Sequence, residues 1–191
     1  HLRGAVAVID RAIQVRPTRS AFEEASAELV LRRTAALETA VRDADPAATA
    51  AATLDLVGLG AGLTPTGDDI LTGLAVTAAS RGMRLATVRP ALRSALGGVA
   101  LDSLTTAVSA ATLQEAAGGR GRQRLHDLLA MVATPGAGAY LAAAIQRVLA
   151  VGHSSGADIL TGVRLALAVE ADLRAAAPLP RPSTTHPKEI R

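Results

Sequence analysis

The chain contains no cysteine and no tryptophan, and its only aromatic residues besides histidine are Phe22 and Tyr140. Without cysteine there is no disulfide framework, no cysteine nucleophile and no thiolate metal site. With aromatics at 1% of 191 residues there is no ring platform on which bases could stack, and no basic block takes its place. The formal net charge is only +3, and the tail from Ala177 onward supplies +2 of it through Arg181, Lys188 and Arg191 against Glu189. The body is therefore near neutral, and nucleic acid is not an expected partner. The longest uncharged run, residues 128 to 146, has the length of a membrane span, but TPGAG at 134–138 interrupts it. Two soluble helices joined by a turn are expected there, in a cytoplasmic protein with no membrane segment. The chain opens on His1 and shows no signal-peptide pattern there.

What is abundant is small and apolar. Hydrophobic residues make up 49% of the chain, and alanine dominates them. Ala and Leu are strong helix formers, and small side chains let helices pack closely. The expected fold is all-α or mainly α: one multi-helix domain of about eight helices over residues 1–176, then a flexible Pro-rich tail at 177–191. Residues 2–15 are ambiguous between helix and strand. Ser20 and Glu23 have capping-box spacing before a long helix, and a shorter helix follows Pro46. LDLVGL reads as extended for a few residues. Further helices are expected in ILTGLAVTAAS, VRPALRSALGGVA, LTTAVSAATLQEAAGG, RQRLHDLLAMVA, GAYLAAAIQRVLA and ADILTGVRLALAVEADLRAA.

One stretch carries more specification than a linker needs. GLGAGLTPTGDDILTG, residues 58–73, puts alternating glycines, Thr-Pro-Thr and two adjacent carboxylates before an apolar run. Part of it recurs. TGDDILTGLAV at 66–76 and SGADILTGVRL at 155–165 share a hydroxyl residue, Gly, Asp, Ile-Leu-Thr-Gly and an aliphatic position, 89 residues apart. That spacing is too long for a solenoid repeat and suggests two helices with like beginnings, related by an internal pseudo-twofold. Thr66 and Ser155 are expected as N-caps, with Gly67 and Gly156 at the first helical position. Asp69 and Asp158 then fall three residues after the caps, facing free N–H groups and the positive end of the helix dipole. Gly73 and Gly162, two turns on, would let another helix approach.

Capping alone accounts for Thr66, Asp69, Ser155 and Asp158. It does not account for Gly58, Gly60 and Gly62, where backbone can approach a ligand unobstructed, or for Asp68, a second carboxylate beside Asp69. His153, just ahead of the second helix, either lines a site or is solvated. A glycine-rich entry to a helix suggests an anion, but neither G-x-x-x-x-G-K-S/T nor G-x-G-x-x-G is present, and Asp68 and Asp69 would repel a bare anion. Three resolutions stand open. The carboxylates face away as caps, they hold Mg²⁺ that meets an anion, or they accept from an N–H₂ group of an amide or carbamoyl ligand.

These residues are similar to a known bacterial family. GLGAGLTPTGDDILTGL resembles its signature G-x-G-x-G-L-T-P-S-G-D-D-x-L-x-G, with Thr66 for the commoner Ser. TTAVSAATLQEAAGG resembles a second segment. VGHSSGADILTG resembles a third, with Ala157 where an aromatic is frequent. The three lie in the family's order between roughly residues 56 and 170. The family includes the AllH-type subunit of oxamate carbamoyltransferase. The resemblance implies a mostly helical domain, with relatives carrying a further β-rich N-terminal region. It also implies phosphorolysis of oxalurate to oxamate and carbamoyl phosphate, in anaerobic purine (allantoin) breakdown, with other oxamate carbamoyltransferase-type subunits as partners.

Carbamoyl transfer to phosphate needs no protein nucleophile, only positioning and charge stabilisation. On this reading the two motif loops share one pocket. Backbone N–H groups of residues 60–67 hold an oxyanion, with Gly60, Gly62, Thr64, Gly67 and Gly156 in the binding loops. Asp68 or Asp69 accepts from the carbamoyl N–H₂, His153 donates to the carbonyl oxygen or the departing nitrogen, and Asp158 belongs to the same catalytic set. Ser154, Ser155 and Thr66 bind carboxylate oxygens unless they cap, and Thr106 and Ser109 line the wall. Phosphate partners among Arg81, Arg84, Arg120 and Arg164 are not distinguished. The expected ligands are a small anionic carbamoyl or amide metabolite and phosphate. No cofactor is required, Mg²⁺ being the alternative. Two rivals remain: a non-catalytic metabolite-binding or assembly subunit, and a Mg²⁺-dependent hydrolase using Asp68, Asp69 and Asp158.

Overall fold

The computed structural model describes residues 1–13, 20–134 and 136–176. The tail expected at 177–191 lies outside them. Nine α-helices are present among the described residues, and no strand. They are α1 (Leu2–Ala12), α2 (Ala21–Arg42), α3 (Pro46–Leu54), α4 (Thr66–Ala78), α5 (Arg89–Gly97), α6 (Ala107–Ala117), α7 (Gln123–Ala133), α8 (Gly138–Leu149) and α9 (Ser155–Ala176), with 3₁₀ turns at Arg84–Thr87 and Leu101–Ser103. The all-α expectation holds. The ambiguous start is helical, because Ala5 and Ile9 share a face that packs into the core. The stretch expected to be extended, LDLVGL, is instead a run of turns closing α3, with Leu56 buried among the helices.

Local signals set the helix starts. Ser20 caps α2 by accepting from the Glu23 N–H at 3.1 Å. Asp45 caps α3, accepting from the N–H groups of Ala47 at 2.9 Å and Ala48 at 3.0 Å, with Pro46 at the first helical position, where its missing N–H costs nothing.

The centre of the molecule is the pair α4 and α9, the most extensive helix contact. Every residue of α4 from Gly67 to Ala78 is buried. α1, α2 and α8 cover α9, while α6 covers α4. The two central helices meet backbone to backbone. A Cβ added to Gly73 would lie 2.0 Å from the Ile159 carbonyl oxygen, and one added to Gly162 would lie 1.9 Å from that of Ile70. The repeated glycines therefore serve the close approach their spacing suggested. Some buried polar groups on this pair are satisfied locally, although the Thr72 hydroxyl and Asp69 Oδ2 on α4 have no partner among the described residues. Thr77 donates to the Gly73 carbonyl at 2.7 Å, and Glu170, fully buried on α9, accepts from the Arg84 and Leu85 N–H groups at 2.8 and 3.1 Å and from Arg174 Nε at 2.6 Å. No helix among the described residues is long and apolar enough to cross a membrane.

Candidate functional site

The crossing of α4 and α9 brings their two N-terminal mouths together. The hydroxyls of Thr64 and Ser155 lie 2.8 Å apart, and Thr66 donates to Asp158 Oδ2 at 3.4 Å. Ser155 in turn hydrogen bonds to Asp69, as does Thr64. The exchange is reciprocal: the hydroxyl residue opening each helix meets the carboxylate of the other.

That exchange corrects the expected capping. Thr66 and Ser155 are not caps; each is already the first helical residue. Pro65 occupies the N-cap position of α4, and its carbonyl accepts from the Asp68 and Asp69 N–H groups at 3.0 and 3.2 Å. At α9 the Ser154 carbonyl does the same for Ala157 and Asp158, at 3.0 and 3.2 Å. Gly67 and Gly156 consequently fall at the second helical position. Their N–H groups are taken by the Leu59 carbonyl at 2.8 Å and the Val151 carbonyl at 2.9 Å, so each loop folds back on its own helix start. A Cβ at either glycine would strike backbone: 2.0 Å from the Leu56 oxygen for Gly67 and 2.3 Å from the Val148 oxygen for Gly156.

The adjacent carboxylates have separate fates. Asp68 is buried, with one oxygen accepting from the Gly58 N–H at 2.7 Å and the other from the Thr105 hydroxyl. It anchors the loop, and sequence reasoning missed its partner Thr105. Asp69 is only 4% exposed, and its Oδ2 has no hydrogen-bond partner among the described residues. Burial pushes its carboxyl up to about 6; the Ser155 and Thr64 hydroxyls oppose that shift, and the nearby Asp158 and Asp68 charges add to it.

The glycine loop is divided in the same way. The close approaches at Gly58 and Gly60 are made by the chain itself: a Cβ would stand 2.0 Å from the Leu104 carbonyl oxygen and 2.8 Å from the Thr66 nitrogen, respectively. At Gly62 nothing lies within 4 Å. The backbone N–H groups of residues 60–64 donate to no group among the described residues, whereas those of 67–69 are spent on Leu59 and Pro65. Within 60–67 the N–H groups left to a ligand are therefore those of 60–64 and Thr66, since Pro65 has none and that of Gly67 is taken by Leu59.

The remaining expected residues are dispersed around this mouth. Thr106 caps α6, accepting from the Ser109 N–H at 3.1 Å and donating to the Leu63 carbonyl at 2.6 Å, so it ties α6 to the loop. Ser109 is buried in the first turn of α6. His153 is exposed in the turn before α9. Leu63, Leu104 and Val108, on the segments joined by the Thr106–Leu63 bond, are exposed as well.

Three of the four arginines are engaged elsewhere. Arg84 bonds the Leu173 carbonyl, Arg120 pairs with Glu115, and Arg164 pairs with Asp10. Asp68 is committed to Gly58 and Thr105, and no group of three or more His, Asp or Glu among the described residues is arranged to hold a metal.

No solved structure matches this chain. A family model does, that of oxamate carbamoyltransferase subunit AllH, over residues 56–167, a span that begins beside the glycine loop and runs through both helix mouths. That span is more than half of the sequence, and the chain belongs to the family described as oxamate carbamoyltransferase subunit AllH.

Proposed function

We propose that this chain is a subunit of an oxamate carbamoyltransferase that transfers a carbamoyl group between oxalurate and phosphate, with the joined mouths of α4 and α9 as its contribution to the site. The observation that carries the reading is Asp69: a carboxylate almost wholly buried at the junction of the two motifs, with one oxygen lacking a partner among the described residues. Such an atom is costly unless a ligand donor meets it. A carbamoyl N–H₂ is a donor of the right kind.

In the reaction a phosphate oxygen bonds to the carbamoyl carbon and the bond from that carbon to the inner nitrogen breaks. Oxamate leaves with a proton on that nitrogen, and carbamoyl phosphate is the other product. Asp69 Oδ2 accepts from the carbamoyl N–H₂. The free N–H groups of residues 60–64 face the charge that develops on oxygen. His153, exposed beside the second mouth, donates to the carbonyl or the departing nitrogen. Thr64, Thr66 and Ser155 fix the geometry through their bonds across the mouth. Asp68 holds the loop through Gly58 and Thr105 and touches no substrate. The reciprocal bonds support relating the two loop–helix units by a pseudo-twofold.

Exposed Leu63, Leu104 and Val108 around the mouth favour a site completed by a partner subunit, since apolar side chains gathered there are better buried than wet. The same exposure favours the second reading, an assembly subunit that binds metabolite without turning it over.

Calorimetry separates the readings. The chain is titrated with oxamate and with carbamoyl phosphate, with and without Mg²⁺, and turnover is assayed alone and with the partner subunits. Metal-independent binding that Asp69→Asn and His153→Ala abolish, with turnover in the assembled complex, is the expected result. Binding untouched by Asp69→Asn, or an absolute need for Mg²⁺, would overturn it. Binding with no effect of either variant on turnover in the complex selects the assembly reading.

A further inference from the structure

The C-terminal end of α4, remote from the two mouths, opens into a cavity of about 390 Å³ lined by Val76, Ala79, Ser80, Arg81, Gly119, His126, Leu129, Ala130 and Ala133. Its composition is divided. Val76, Leu129 and Ala79 form an apolar floor with Ala130 and Ala133 at its exposed edge, while Ser80, Arg81 and His126 are polar and, among the described residues, no carboxylate lines it. Arg81 is exposed and makes no ion pair among the described residues, unlike Arg120 nearby, which is neutralised by Glu115. A second guanidinium stands behind the wall. Arg89 donates to the Gly118 carbonyl at 3.3 Å, and its buried Nε has no partner among the described residues. A Cβ on Gly119 would lie 3.8 Å from Arg89 Nη2 and 2.8 Å from the Ala79 Cβ, so glycine keeps this part of the wall open.

We propose that this cavity is a second ligand site, for a small organic anion with an apolar body, its carboxylate or phosphate group meeting Arg81 and His126 and its carbon skeleton resting on Val76 and Leu129. The apolar floor argues against a bare inorganic ion, and the Arg81 guanidinium, without an ion pair among the described residues, argues against a neutral apolar guest. The site is independent of the carbamoyl reading, since it uses none of the residues at the α4 and α9 mouths.

The test titrates the whole chain with hexanoate, hexanol and inorganic phosphate while following amide shifts by NMR. Hexanoate is expected to give saturable shifts at Ala79, Ser80, Gly119 and Gly121. Arg81→Gln should weaken it by roughly tenfold, the loss of one charge-assisted contact. Ala130→Trp, on the exposed rim, should fill the cavity and abolish the shifts, with thermal unfolding confirming that both variants fold. Hexanol binding as well as hexanoate, phosphate binding as well as hexanoate, or Arg81→Gln binding hexanoate like the parent would each overturn the proposal.

Discussion

Gly73 of α4 stands so close to Ile159 of α9 that a single added carbon would lie 2.0 Å from the Ile159 carbonyl oxygen. The contact is with main chain, which cannot swing aside as a side-chain tip can. Gly73→Ala and Gly162→Ala are each expected to cost about 3 kcal/mol or more, read as a lowered urea midpoint. The pair together should cost less than the sum, because the first clash already parts the helices. Gly4→Ala is the control. It lies in α1 with nothing within 4 Å of an added Cβ, and it should stabilise by about 0.5–1 kcal/mol.

Asp69 gives a pH signature. Its carboxyl is pushed up to about 6 from an ordinary 3.8, so the native state keeps this proton where the unfolded chain has released it. Between those values the native state binds more protons, and this group's contribution lowers stability as pH rises from about 4 to about 6, then levels. Asp69→Asn should remove that slope and raise stability at neutral pH by on the order of 2 kcal/mol, after allowance for screening, while removing ligand binding. Urea unfolding between about pH 4 and pH 7 checks the slope, and calorimetry checks the binding.

Asp68 predicts a loop effect instead. Asp68→Ala strands the half-buried Gly58 N–H and Thr105 hydroxyl, at a cost of about 2 kcal/mol, while Thr105→Val removes one bond for about 1 kcal/mol. In both variants amide exchange at residues 58–63 should quicken relative to α9.

Glu170 is a buried charge held by two backbone donors and Arg174. Glu170→Ala leaves the donors at Arg84 and Leu85 unmet and should cost about 3–5 kcal/mol. Arg174→Ala leaves the buried carboxylate without its counter-charge and should also cost about 3 kcal/mol, with the two backbone donors keeping it from costing more. Thermal unfolding of the two variants gives the comparison.

What could be read in advance was what neighbours in sequence decide. The Ser20–Glu23 cap, the helix after Pro46 and the glycine pairs two turns into α4 and α9 follow from spacing alone. The misreadings lie where distant segments compete. Thr66 and Ser155 look like caps by local rule, but each mouth offers its hydroxyl a carboxylate on the other helix, and Pro65 and Ser154 take the cap position. Asp68 and Asp69 are neighbours in sequence yet point at different surroundings, a difference set by Thr105 and Ser155, which no local pattern ties to them. The glycines at 58 and 60 fit a ligand-binding loop and are used by the chain itself, because Leu104 and Thr66 arrive there only on folding.

The bare crossing of α4 and α9 has a mechanical consequence. Helices that touch through side chains can slide a little while rotamers take up the slack; at Gly73 and Gly162 there is no such cushion. A force applied to the loop before either helix therefore reaches the other as rigid displacement. The loop before α4 and the turn that carries His153 are thus held in register by main chain, not by side chains that can yield.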